Sequence, residues 1–242
     1  MTQKAPSMWR EKRVLWTCGW LLSFWSGSIN MIASYAIIFT RVSHMTGPAS
    51  DLSRFILLDA SMALYVVLIV VSFVLGAYLS ALVAKRVKFS VNLTLSTLPA
   101  VVTMTLLFTP HASFSMLGTH LFAVLLPMGM GWQNGATSQS EIGRTTHVTG
   151  DMTDLGLRLA QGDYAKSFYF AMKFLSFVLG GIAGLTMMNQ SPRMGLAFSV
   201  LGVVFIGILV GAFETKKRPL STPNPNPILI QPVDMQKVSA NS

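Results

Sequence analysis

Residues 144–155 read RTTHVTGDMTDL, and residues 41–52 read RVSHMTGPASDL. Arg, His, Thr, Gly, Asp and Leu recur in the same order and at the same spacing. In a chain with four histidines and 11% charged residues, chance does not produce that match. The flanks agree at an offset of 104: Gly27 with Gly131, Asn30 with Asn134, Arg54 with Arg158, Asp59 with Asp163, Tyr65 with Tyr169, and SFVLG at 72–76 with SFVLG at 176–180. The motif itself sits at an offset of 103, so one residue is lost before it and one regained after it. The chain is a tandem of two related halves.

Hydrophobic residues fill 52% of the 242 positions, and charged residues are less than half as frequent as the roughly 25% of an ordinary soluble domain. The uncharged runs at 14–40 and 60–84 exceed the ~20 residues that cross hydrocarbon as a helix. The chain is therefore expected to be an all-α polytopic membrane protein, with the lipid bilayer as its first partner. A net charge of +9 raises the question of nucleic acid. The basic residues are not interleaved with aromatics but lie beside apolar runs, as topology signals do, and no nucleic-acid partner is expected. Cys18, the one cysteine, lies inside an apolar run and reads as a small packing residue. The basic, then apolar, amino terminus is too long for a secretory signal and lacks a small-residue cleavage site, so it reads as a retained span.

The spacing predicts six transmembrane helices: 14–38, 54–84, 89–108, 114 onward to the glycine-rich run at 129–135, 167–188 and 194–213. Residues 1–13 form an amino-terminal tail, 14–110 a first three-span repeat, 111–213 a second, and 214–242 a disordered tail rich in Pro, Asn and Ser. Fourteen of the eighteen Lys and Arg fall in the alternate segments 1–13, 85–88, 144–166 and 216–242. The positive-inside rule puts those segments, and both termini, in the cytoplasm. Three spans per repeat is an odd number, so the second repeat enters the membrane inverted.

Inverted repeats with interrupted helices are a plan of secondary transporters, whose site lies near the midplane between the halves. Gly27 to Asn30 and Gly129 to Gly135 weaken a helix interior, and a kink or unwound turn is expected at each. Asn30 and Asn134 then become candidate ligands, with helix packing the competing reading. The paired motifs admit three readings. His44 and His147, with Asp51 and Asp154, gather around a substrate or proton path; or each motif is a helix-entry turn, with Thr46 and Thr149 as caps and Gly47 and Gly150 permitting the turn; or the two His and two Asp hold a metal. The helix-entry reading requires least. No tight ligand spacing exists within either copy, so neither a metal site nor a cofactor is expected. Asp59 and Asp163, each five residues after an Arg, read as interfacial salt bridges. Lys173 has Ile69 as counterpart and breaks the symmetry; it reads either as a coupling residue or as one snorkelling toward the cytoplasmic face, and snorkelling is the preferred reading.

The stretches FTRVSHMTG at 39–47, MGMGWQNGA at 128–136 and TTHVTGDMTDL at 145–155 resemble the YoaK-type bacterial inner-membrane proteins, a family of unknown function, over about residues 14–213. The resemblance implies a multi-pass protein of the bacterial inner membrane and supplies no substrate or catalytic residue. The chain departs from that pattern at Pro48, where Asn is usual, and at Asn30, where Asp is common. The expected function is transport of a small solute or ion between the two repeats. The alternative is a membrane-embedded binding or scaffold protein without transport activity. An enzyme is not expected, because no nucleophile elbow, phosphate loop or asymmetric acid-base cluster appears.

Overall fold

A computed structural model describes residues 5–37, 41–43, 45–107, 116–138 and 140–216. Among these residues there are nine α-helices and no strand. They are α1 (Ala5–Ile32), continued by a π-helical turn at Ala33–Ile37, α2 (Thr46–Leu58), α3 (Ala60–Ala84), α4 (Phe89–Leu95), α5 (Leu98–Leu107), α6 (Met116–Ser138), α7 (Val148–Ala160), α8 (Tyr164–Met188) and α9 (Pro192–Lys216). The amino-terminal segment is helical from Ala5 and the carboxyl-terminal one through Lys216. The remainder of the 214–242 tail lies outside the described residues, as does His44.

Local chemistry sets the boundaries. The expected span 54–84 divides at Asp59, whose carboxylate accepts hydrogen bonds from the amides of Ser61 (3.0 Å) and Met62 (3.2 Å) and so caps α3. The Ser61 hydroxyl and the Met62 amide hold that carboxyl below its usual range. Asp163 caps α8 by accepting from the Lys166 amide, after a turn in which Gly162 takes φ 71°. Both aspartates are thus helix caps; Asp163 also forms an ion pair, with Lys166 (3.9 Å) and not with the preceding Arg158, which donates to Gln161. The third expected span is parted at Ser96 and Thr97 into α4 and α5.

Among the described residues, four stretches are long and apolar enough to cross a membrane: Ala60–Ala84, Phe89–Leu106, Tyr164–Met188 and Arg193–Phe213. Their outer faces carry Val67, Val71 and Val74, Phe174, Val178 and Ile182, and Leu201, Phe205 and Ile208, all exposed. A surface of that kind is stable against lipid and not against water, and it associates the chain with a membrane. The long helices α1 and α6 bury Ser23, Ser26, Ser28 and Asn30, and Gln133 and Thr137, respectively.

The core is built where α1 lies along α8 and α6 lies along α3. Trp20 meets Phe168, Gly27 meets Phe177 and Ser28 meets Gly184, so residue numbers rise together and α1 runs parallel to α8. Tyr65 meets His120, Phe73 meets Gly131 and Ala77 meets Gly135, so α3 and α6 are parallel as well. Ser90 by Gly211 and Thr94 by Gly207 make α4 antiparallel to α9. A Cβ at Gly27 would strike the Phe177 carbonyl, and one at Gly131 would strike that of Phe73. A Cβ at Gly180 would strike the Phe24 carbonyl, and one at Gly76 that of Met128. Within each of these two pairs of contacts, one is the other with both residues moved by 104 and the halves exchanged.

These contacts correct the expected breaks. Both helices remain α-helical through Gly27–Asn30 and Gly129–Gly135, because the glycines serve close helix approach and leave the backbone hydrogen bonds intact. The deviation in α1 comes later, at the π turn.

Candidate functional site

The second motif copy is laid down on α8. After α6 ends at Ser138, the Tyr169 hydroxyl donates to the Ile142 carbonyl (2.7 Å), and Lys173 Nζ donates to the Arg144 carbonyl (2.7 Å). Tyr169 and Lys173 are one helical turn apart, so the segment advances along α8. α7 then packs back against α8, making a hairpin whose tip is the motif. Lys173 stands ten residues beyond the cap Asp163, about 15 Å along the helix at 1.5 Å per residue.

Lys173 does not snorkel. It is 1% exposed, and its ammonium lies 2.9 Å from each carboxylate oxygen of Asp151, itself 8% exposed. With the Arg144 carbonyl, its three N–H donors have three acceptors. The sequence conceals the pair because Asp151 precedes Lys173 by 22 residues and reaches it only through the return of α7. Asp151 occupies the position held by Pro48 in the first copy, just as Lys173 occupies that of Ile69.

The first copy is fixed differently. Asn30 Oδ1 accepts from the amides of Val42 (3.1 Å) and Ser43 (3.3 Å) and from the Ser43 hydroxyl (2.9 Å). It therefore ties the chain entering α2 to α1. Its counterpart Asn134 does no such thing: Asn134 Oδ1 is buried without a hydrogen-bond partner among the described residues. The neighbouring Gln133, which sequence reasoning passed over, takes that part, donating to Ser26 Oγ (2.8 Å) and Thr145 Oγ1 (3.0 Å).

The expected threonine caps are also replaced. His147 is the N-cap of α7, with Nδ1 accepting from the Gly150 amide (3.0 Å), and the N-cap of α2 is Met45, which makes no side-chain bond. Accepting at Nδ1 leaves Nε2 of His147 as the nitrogen available to other partners. The glycines admit side chains: a Cβ at Gly150 would strike the His147 ring, and one at Gly47 would lie 3.3 Å from the Arg41 guanidinium.

Two cavities adjoin the two motif copies. The first, about 750 Å³, is lined by Asn30, Arg41, Thr46, Gly47 and Asp51 together with His147 and Thr149, so both motif copies contribute. The second, about 730 Å³, is lined by Lys12, Arg144, Gly150, Asp151, Asp154 and Lys173, again with His147. His147 is the residue the two share. The first reaches Tyr35 beyond the carboxyl end of α1, and the second reaches Lys12 near its amino end. Lys12 and Asn30 are 18 residues apart on one helix, about 27 Å. Eight of the ten residues chosen from sequence thus line one cavity or both; Asn134 lines neither, and His44 lies outside the described residues. Among the described residues no group of three His, Cys, Asp or Glu could hold a metal ion.

No curated protein and no solved structure matches the chain. A family model described as "Protein of unknown function (DUF1275)" matches residues 18–212, a stretch that includes both motif copies and both cavities except for Lys12 and Trp16. The chain belongs to that family, the one whose YoaK-type members its motifs resemble.

Proposed function

We propose that the protein is a small-solute or ion transporter of the bacterial inner membrane, with six spans arranged as two inverted three-span repeats and both termini cytoplasmic. The spans are α1, α3, α4 with α5, α6, α8 and α9. α2 and α7 are short helices that return from hairpin tips inside the bilayer. In a six-span chain the first and fifth spans cross in one direction, the second and fourth in the other, and the third opposes the sixth. The parallel pairs α1 with α8 and α3 with α6, and the antiparallel pair α4 with α9, obey that alternation. The exchanged glycine contacts support a two-fold relation between the halves, and the distribution of Lys and Arg supports the orientation. Lys173, about 15 Å into α8, then lies at the depth of the midplane of a hydrocarbon layer about 30 Å thick.

One observation carries the transport reading: two cavities of similar size, approached from opposite ends of α1, are separated at His147. A carrier needs a site that can be reached from either side but not from both at once. Asn30, Thr46, Asp51, His147 and Thr149 form the solute side of that site, and Gly150 and Asp154 continue it toward the other cavity. The reading assigns no catalytic role and no metal.

The test is a thermal-shift screen of small solutes on the purified full-length protein, with hits repeated on Asp51→Asn and His147→Ala. Loss of the shift in both variants is expected, followed by uptake of the same solute into vesicles containing the wild type. Binding without uptake would favour the scaffold reading instead. Binding unaltered in both variants would remove these side chains from the site.

A further inference from the structure

We infer that Asp151 and Lys173 form a proton-coupling site. In one stage of the cycle the Asp151 carboxylate accepts a proton arriving through the second cavity, becomes neutral and releases the Lys173 ammonium; return of the proton to the cavity restores the pair. This inference rests on the transport reading above.

Comparison between the halves separates function from packing. In the first half the equivalent positions hold Pro48 and Ile69, both buried, with Ile69 0% exposed. The fold therefore has an apolar solution for this place and uses it once. A buried ion pair is often no more stabilising than well-packed apolar residues of similar volume, so stability does not explain why the second half keeps the charges. Ionisable groups at membrane depth are costly and mark ion and proton paths.

The surroundings supply a route. Both members of the pair line the second cavity, whose wall extends to Lys12 on α1 and to Lys166 at the start of α8. His147 lies one helical turn before Asp151, faces it electrostatically together with Asp154, and borders the other cavity. On the α8 side the facing groups are Lys173 and Tyr169, whose hydroxyl is already spent on the Ile142 carbonyl. Arg144 contributes its carbonyl to Lys173, so the ammonium keeps one acceptor when the carboxylate is neutralised. A proton on Asp151 thus changes the charge at the wall between the two cavities, where access must switch.

Infrared difference spectra of the full-length protein in lipid, collected across pH and compared with Asp151→Asn, test the site. The expected result is a protonated-carboxyl band that changes between the two pH values of the gradient used for uptake and is missing from the variant. A carboxylate that stays ionised throughout that interval would identify a fixed brace and overturn the inference. Should Asp151→Asn not fold, the pair Asp151→Leu with Lys173→Ile, which imitates the apolar first half, provides the carboxyl-free reference. That double variant is expected to unfold no earlier than wild type, and marked destabilisation counts for a brace. In vesicles with a screened solute, Asp151→Asn is expected to retain solute exchange but to lose accumulation driven by a pH gradient by tenfold or more. Loss of exchange as well would make Asp151 a solute ligand and overturn coupling. A wild type whose carboxyl band changes in that interval but which moves no solute overturns the transport reading, and coupling with it. A carboxylate ionised throughout that interval in a protein that does accumulate solute overturns coupling alone.

Discussion

Asn30 and Asn134 hold equivalent places in the two halves, yet one oxygen accepts three hydrogen bonds and the other is buried with none among the described residues. Removing Asn30 orphans the buried Val42 amide and takes two hydrogen bonds from Ser43, and an unsatisfied buried group costs about 1–3 kcal/mol. Asn30→Ala is therefore expected to lower unfolding stability by at least about 1 kcal/mol. Asn134→Ala removes an acceptor that is already unsatisfied and is expected to change stability by less than about 1 kcal/mol. Denaturant unfolding of both variants in detergent measures the difference; equal losses would contradict this division of labour between the two asparagines. The motif made His147, Asn30 and the glycines visible as residues, because identical chemistry recurring in a charge-poor chain stands out. Their tasks were not visible. A cap by His147 instead of Thr149, and the meeting of Asp151 with Lys173, depend on where the chain turns back, which residue types do not encode locally.

At the level of helices, the apolar runs located the four stretches that, among the described residues, are long and apolar enough to cross a membrane, and the glycines suggested breaks that do not occur. Gly27 and Gly131 are better understood through the partner helix: each lets a carbonyl of the neighbour approach to where a Cβ would stand. Gly27→Ala must push α1 away from Phe177, and overpacking of this kind costs about 1–3 kcal/mol. Gly156 stands in the interior of α7 with nothing within 4 Å of an added Cβ. Gly156→Ala is accordingly expected to stabilise the protein by about 0.5–1 kcal/mol, the usual gain from replacing a helix-interior glycine. Thermal unfolding of the two variants should move in opposite directions, and a loss in both would mean that α7 has a neighbour at that face. The caps at Asp59 and Asp163 were legible in principle, since an aspartate directly before an apolar run is a helix-start signal. The Arg five residues earlier drew attention to charge pairing instead.

For the molecule as a whole, the repeat made the two-part plan readable, and contacts such as Gly27 with Phe177 and Gly131 with Phe73 recur with the halves exchanged. What composition could not convey is that the polar segment at 140–147 lies along α8 and α7 packs back beside it, so that residues counted as loop line cavities. The consequence can be measured with cysteines. Cys18 is buried, and its replacement by Ala provides a background free of other thiols. Thr46 and Thr153 are both exposed, Thr46 on the first cavity and Thr153 on the second, whose wall also holds Lys12, Arg144, Arg158 and Lys166. A membrane-impermeant thiol reagent is expected to label Thr46→Cys in intact cells and Thr153→Cys only in inside-out vesicles. Labelling of both from one face would refute the six-crossing arrangement. His147→Cys discriminates further, since that position borders both cavities. A carrier that exchanges its access presents it to each side in turn and should be labelled from either. A static scaffold with a sealed wall exposes it to one side and is labelled from that side alone.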